Sequence, residues 1–418
     1  MTPLLYRVLR AQPGELPAVA WAFAYFFLLL CSYYILRPVR DALAVEVGTQ
    51  ALQWLFTATF VTMLALVPVF GWLSARLPRT RLLPAVYGFF ALNLLIFSFY
   101  MSPTVFFVWL SVFNLFVVSV FWSFMSDIFD TQQAARLYGA IAAGGSCGAI
   151  AGPLLAALLS NHQHLLLVSA GLLGLTILCI AMLARWAKAH PRAGDPPPEA
   201  PLGGSILAGV RAALSSPFLL AICGYLLCYT ALSTALYFQQ VTIVRDAVPD
   251  MAERTRLFAS VDLTVNTLTL VLQIFAFSRL TALLGPGWLL ALMPLVSIAG
   301  FLWLGATPTL AALIAFGVTR RVGEFAISKP AREALFTVVP REDRYKAKNF
   351  IDTVVYRGGD AASGWVFGTL GAAVAFVAAT VSVGWAAIAF YLGARMKSWT
   401  RDDARSSPPL QPGRSGLH

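Results

Sequence analysis

Eight charged side chains stand inside stretches of sequence otherwise built from Leu, Ala, Val and Phe: Arg37, Arg40, Asp41, Arg320, Arg321, Glu324, Arg357 and Asp360. A charge at the centre of a bilayer costs about 2.5–3.5 kcal/mol even on insertion-based scales, so these groups must face protein or a wet cavity. The first cluster lies in Ser32-Tyr33-Tyr34-Ile35-Leu36-Arg37-Pro38-Val39-Arg40-Asp41-Ala42-Leu43. If a helix continues through Pro38 with a kink, Arg37, Arg40 and Asp41 fall at i, i+3 and i+4 on one face. Two guanidiniums so placed could grip a phosphate or carboxylate through paired N–H donors while Tyr33 or Tyr34 stacks on a ring. The competing reading is an interfacial anchor of aromatics and cations.

A second cluster reads Arg320-Arg321-Val322-Gly323-Glu324, and a third holds Asp352, Arg357, Gly358, Gly359 and Asp360. Helical spacing lets Arg320 pair with Glu324 and Arg357 with Asp360. Glycines beside Arg357 leave room for a ligand to approach the backbone. These acids, together with Asp41 and Asp127, are coupling or gating candidates, and buried ion pairs kept only for structure are the alternative.

The elements that position these groups are membrane spans. A hydrophobic share of 59% exceeds the roughly 45–50% of soluble domains. The excess falls in runs of about 20 residues, the length that crosses a bilayer as an α-helix. Twelve spans are expected, at about 16–36, 52–74, 82–101, 104–126, 137–160, 164–186, 217–240, 256–277, 287–306, 308–327, 349–371 and 374–394. The fold class is thus an all-α membrane protein of two six-helix bundles, residues 1–186 and 217–397. A cytoplasmic linker, 187–216, joins them, with a proline run (Asp195 to Glu199) and a candidate surface helix from Ser205 to Leu214. A polar tail, 398–418, is expected to be disordered.

With these spans, 22 of the 30 Lys and Arg fall on one side, which places both termini in the cytoplasm and the chain in a bacterial inner membrane. The net charge of +11 therefore marks membrane sidedness, and no nucleic-acid partner is expected. Five cysteines and four histidines show no metal-ligand spacing, so no metal or cofactor is expected. Val39-Arg40-Asp41-Ala42 recurs as Val244-Arg245-Asp246-Ala247, at equivalent positions of the two halves. In span five Gly144, Gly148 and Gly152 share one face, where a neighbouring helix can approach to backbone contact.

The loop from Gly71 to Arg81, with Ala75, Arg76, Pro78 and Arg79, resembles the major-facilitator pattern Gly-x-x-x-Asp-Arg-x-Gly-Arg-Arg, with the acid and one glycine replaced. That resemblance implies a gate latch at Arg76 and Arg79. Topogenic positive charge is the alternative.

Four blocks together resemble the ATP:ADP antiporter family of plastids and intracellular bacteria. They are Leu36-Arg37 through Arg40-Asp41-Ala42-Leu43; Phe121-Trp122-Ser123-Phe124 with Asp127, Ala134, Arg136 and Tyr138; Arg332-Glu333-Ala334 with Pro340; and Lys346-Ala347-Lys348 leading to Ile351-Asp352-Thr353-Val354-Val355 and Arg357. The resemblance implies a major-facilitator-type fold and nucleotide exchange, with Arg40, Asp127 and the Arg357 cluster engaging substrate. This chain departs from the pattern where Asp360 replaces a lysine and where span seven, Ala231 through Phe238, carries only Ser and Thr as polar groups. Those departures remove cations that a polyphosphate needs. The expected activity is therefore secondary transport of a small organic anion, with a nucleotide or phosphorylated metabolite as candidate species, by a monomer working in exchange mode. A proton-coupled carrier of a neutral or cationic compound and a non-transporting assembly partner or sensor are the alternatives. No span or loop sets out a nucleophile, base and oxyanion donor, so an enzyme is not expected.

Overall fold

The structure is a computed structural model that describes residues 12, 14–77, 79–159, 161–190, 214, 216–275, 277–336, 339, 348 and 350–406. The linker run Asp195 to Glu199 and most of the candidate surface helix lie outside these residues. So do the side chains of Arg79 and Asp352.

Among the described residues the elements are helical throughout. The first half contains α1 (Leu16–Val47), α2 (Thr49–Arg76), α3 (Arg79–Phe99), α4 (Pro103–Ile128), α5 (Thr131–Leu159) and α6 (His162–Ala189). The second contains α7 (Pro217–Ala247), α8 (Met251–Phe275), α9 (Phe277–Ala306) and α10 (Leu310–Gly323). A π-helical turn, π1 (Glu324–Ser328), carries α10 into α11 (Lys329–Leu335). A second, π2 (Ile351–Val355), leads into α12 (Tyr356–Gly368), and α13 (Val374–Ser406) closes the described chain.

Among the described residues, ten helices are long and apolar enough to cross a membrane. The two other expected spans coincide with α10–π1–α11 and π2–α12, where charges and π turns interrupt the apolar run. π insertions inside α-helices concentrate at functional sites. The last helix continues to Ser406, so the first residues of the expected disordered tail are helical. Arg401 and Ala404 are good helix formers and extend α13 beyond its apolar part.

Bilayer exposure shows in the side chains. Trp54, Phe89, Phe99, Leu158, Ile274, Phe275 and Trp303 are among many large apolar groups on the outer surface. A soluble monomer rarely exposes so much apolar area in continuity, whereas hydrocarbon chains cover it at no cost.

Two apolar cores organise the interior. One joins α1 to α3, α4 and α6 through Tyr25, Leu29, Tyr87, Phe113 and Leu173. The other, centred on Tyr225, Phe301 and Trp385, also recruits Ala42, Val45, Leu52, Leu55 and Phe107 from the first half. Those five lie where α1 ends and α2 and α4 begin. The halves therefore share a core at the end of the bundle away from the start of α1. That end is called distal below, and the opposite end proximal.

The expected glycine face is used as its spacing predicts. A Cβ at Gly144, Gly148 or Gly152 would overlap the backbone oxygens of Phe23, Phe27 and Cys31, so α5 lies against α1 at backbone contact. Helix α1 runs unbroken through Pro38, which keeps Arg37, Arg40 and Asp41 on one helical element.

At the proximal end, Asp130 and Gln133 form a reciprocal cap on α5: each backbone N–H donates to the other's side chain, at 3.0 and 2.7 Å. The Arg136 guanidinium donates to both oxygens of buried Glu15 at 3.1 and 2.9 Å, and Gln133 adds a third bond at 3.0 Å. Burial pushes the Glu15 carboxyl up, but the bonds from Arg136, the Gln12 N–H and Gln133 outweigh it and hold the group below its ordinary range. Because the folded pKa is depressed, the clamp stabilises the protein fully above the unfolded value of 4.5 and loses its effect as pH falls below it. The thermal midpoint of Glu15→Gln should therefore lie below wild type at neutral pH, and the gap should narrow as the medium is acidified below 4.5 and through the depressed folded value.

Candidate functional site

Three charged side chains meet between the halves. The Asp262 carboxylate, 1% exposed, receives a hydrogen bond from Arg321 at 2.5 Å on one oxygen. Its other oxygen stands 3.7 Å from the Arg37 guanidinium. Arg37 belongs to the first half and Asp262 and Arg321 to the second, so the carboxylate bridges the two bundles.

The three groups also share a depth. Arg37 stands ten residues before the distal end of α1, and Asp262 and Arg321 stand eleven residues after the distal starts of α8 and α10. At 1.5 Å per residue each lies roughly 15–17 Å in, about half the hydrocarbon thickness. Arg357, eleven residues before the end of α12, reaches the same level.

A cavity of about 220 Å³ adjoins the triad on its proximal side, lined by Phe26, Tyr34, Ser146, Asn266, Gln273 and Phe325 among others. Tyr34, Asn266 and Phe325 each stand about one helical turn from Arg37, Asp262 and Arg321, on the proximal side in every case. The charged triad thus lies about one helical turn distal to these lining residues. Among the described residues, three polar atoms of the triad have no hydrogen-bond partner: Nε of Arg37, Nε of Arg321 and the second oxygen of Asp262. The arrangement places two cations against one anion, with donors left over, beside a chamber whose lining includes aromatic rings, hydroxyls and two carboxamides. Among the described residues, no cluster of His, Cys, Asp and Glu could hold a metal ion.

Other expected site residues divide between cavity and scaffold. Tyr34 lines the cavity and lies 6.0 Å from the Arg37 guanidinium. Tyr33 is buried against Tyr34 and Phe113 in the first-half core. Arg40 does not join Arg37 in gripping one site: it pairs with its neighbour Asp41 at 2.7 Å and stands over the Phe107 ring. Asp41 also accepts a bond from Tyr237 at 3.0 Å, a second link between the halves.

The expected Arg320–Glu324 ion pair is not formed. The backbone keeps the expected register, since Glu324 has α-helical dihedrals and its N–H donates to the Arg320 carbonyl, so it is the Arg320 side chain that turns elsewhere. Arg320 instead donates to the Tyr229 carbonyl and the Ser233 hydroxyl at 3.2 and 3.1 Å, and its guanidinium lies 5.4 Å from the Tyr229 ring. Arg357 and Asp360 do approach, loosely, at 3.6 Å. Asp127 is exposed near the proximal end of α4, and exposed Arg76 lies over the Trp72 ring at 4.4 Å. Arg79 heads α3 and Asp352 lies in π2. Lys348 bonds Glu333 at 2.5 Å, which brings two of the family-like blocks together.

Two further groups that are not among the expected site residues stand in or beside the site. Asp262 is an acid inside an apolar span, the same signal that marks the other charges. Arg245, within the repeated Val-Arg-Asp-Ala motif, reaches across from α7 and donates twice to the Val45 carbonyl near the end of α1, at 3.2 and 2.9 Å. Asn266 adds a bond to the Ala149 carbonyl at 2.6 Å, and Trp365 adds one to Thr57 at 3.0 Å. The Arg245 and Trp365 links, with the shared apolar core, close the distal side of the site, and the Asn266 bond ties the halves on its proximal side.

A profile of the Major Facilitator Superfamily matches residues 22–245. No curated protein sequence matches the chain. Among solved structures, the nucleoside transporter NupG superposes with a TM-score of 0.67 at 13% identity, covering 91% of this chain and 99% of its own. A bacterial homologue of the iron transporter ferroportin, in an inward-facing state, gives 0.62 at 12% identity over 92% and 100% of the two chains. A bacterial homologue of the human lysosomal transporter Spinster, inward-facing and unoccupied, gives 0.58 at 13% identity over 96% and 100%. At such identities the likeness establishes a shared fold.

Proposed function

The chain belongs to the major facilitator superfamily, and we propose that it is a secondary active transporter exchanging small organic anions across a bacterial inner membrane. In this reading it works as a monomer with twelve spans, α10–π1–α11 and π2–α12 completing the set, and the positive-inside rule puts both termini in the cytoplasm. The proximal side is then cytoplasmic, and the structure corresponds to a state closed to the outside. Alternating access follows if the halves rock about the mid-depth site, breaking the distal links while the proximal ends close.

One observation supports the reading: Arg37 and Arg321, from opposite halves, share the single carboxylate of Asp262 at mid-depth, about one helical turn from residues that line a cavity. Two guanidiniums against one acid leave one unit of positive charge for a guest anion, and bidentate N–H donors suit carboxylate or phosphate. The 220 Å³ chamber falls below the roughly 300–1,000 Å³ of sites for drug-sized ligands, which favours a compact substrate. A polyphosphate would bring more charge than this site can match. A phosphate monoester such as a nucleoside monophosphate or a phosphorylated metabolite, at about −1.5 to −2 near neutral pH, overshoots that single charge less than a triphosphate does, and a monocarboxylate matches it.

Counterflow in proteoliposomes tests this. Uptake of a labelled organic acid should need unlabelled anion inside and should be indifferent to an imposed pH gradient. Uptake driven by an inward proton gradient into empty vesicles would instead support the proton-coupled alternative, with Asp360, loosely held by Arg357, as the titrating group.

A further inference from the structure

Resting on the anion-carrier reading, we infer that Asp262 is a resident counter-ion that sets the valence of the substrate, restricting the central site to anions carrying a single charge. The cations and acids around the site are accounted for one by one. Arg40 is neutralised by Asp41 at 2.7 Å and Arg357 is matched loosely by Asp360 at 3.6 Å. Arg320 is turned away to Tyr229 and Ser233, with Glu324 the nearest acid on its own element. Arg37 and Arg321 remain, about one helical turn from residues that line the cavity, with Asp262 between them. The local balance is one positive charge.

Asp262 is held in place by more than that attraction. It sits on α8 one turn from Asn266, whose amide is bonded to the Ala149 carbonyl of the first half, so α8 is pinned at this level. A guest therefore cannot displace the acid from the region and must be accepted beside it. A monoanion completes the charge balance and can take guanidinium N–H donors of Arg37 and Arg321, whose side chains stay 17% and 22% exposed. A dianion brings its second charge against Asp262 in a site only 1% open at that carboxylate, where repulsion is poorly screened. Asp262 thus positions the arginines and rejects the more highly charged competitor.

The test uses matched probes: succinamate against succinate, and benzoate against phthalate, with half-saturating concentrations read from thermal stabilisation of the purified full-length protein. Wild type should bind the monoanion of each pair more tightly. Asp262→Asn raises the local balance by one charge and should shift the monoanion-to-dianion preference toward the dianion by roughly tenfold or more. The double variant Asp262→Asn with Arg321→Gln restores the wild-type balance and should restore the wild-type preference, even if the single variant is too unstable to assay. An unchanged preference in Asp262→Asn, or a double variant that prefers dianions, overturns the inference while leaving anion transport intact. Failure of wild type to bind any of the four probes would overturn the anion reading and this inference with it.

Discussion

Arg37→Ala and Arg321→Ala should each lower anion exchange, per folded molecule, to about one-thirtieth of wild type or less. Truncating one partner of a buried, hydrogen-bonded charge pair costs about 2–5 kcal/mol, which corresponds to losses of roughly thirty- to several-thousand-fold. The same substitutions leave Asp262 with one partner instead of two, so stability should fall as well, by up to about 3–5 kcal/mol if the carboxylate stays charged. Flux must therefore be normalised to folded protein. Arg321→Lys separates charge from geometry: it keeps the cation but loses the planar fork, and should retain an intermediate rate. Wild-type exchange in either alanine variant would remove these arginines from the site. Arg40→Ala and Arg357→Ala should be milder, because each arginine is already matched by an acid on its own helix.

The second large effect is on the fold. Gly148→Leu should strongly reduce the yield and thermal midpoint of the protein, because its side chain would be built into the Phe27 carbonyl and the adjoining backbone of α1. Overpacking costs about 1–3 kcal/mol where neighbours can shift, and here the neighbour is backbone, which yields least. Helix α1 carries Arg37 and Tyr34, so forcing α5 away also misplaces the cavity wall. Gly139→Ala is the control on the same helix. Nothing lies within 4 Å of the place its added methyl group would occupy, and alanine should leave stability unchanged or raise it by up to about 1 kcal/mol. A Gly148→Leu protein as stable as wild type would mean that the two helices do not meet along this face.

The features that could be read from the sequence are those whose physics is local. Continuity of α1 through Pro38, the glycine face of α5 and the apolar segments follow from helical periodicity and composition. Partner assignment fails where it relies on the same locality. Arg320 and Glu324 have α-helical spacing and keep it along the backbone, but the Arg320 side chain turns to Tyr229 and Ser233 on α7 instead. Arg37 and Arg40 stand one turn apart, yet one reaches α8 and the other pairs with the next residue. Asp262 could have been found by the cost of burying a charge. Its partners could not, because they come from helices distant in the chain in either direction. The same holds for Arg245, whose place in a repeated motif hinted at equivalence between the halves but not at its bonds to the Val45 carbonyl.

The central claim is that the Arg37–Asp262–Arg321 triad seats an anion. Thermal unfolding of purified wild type and Arg321→Gln against nucleoside monophosphates, phosphorylated sugars and organic acids tests it most directly, because selective binding to the folded form raises the midpoint. The account predicts that at least one compact anion stabilises wild type in a saturable way and that its effect is lost in Arg321→Gln. Equal stabilisation of both proteins, or stabilisation only by neutral or cationic compounds, would contradict it.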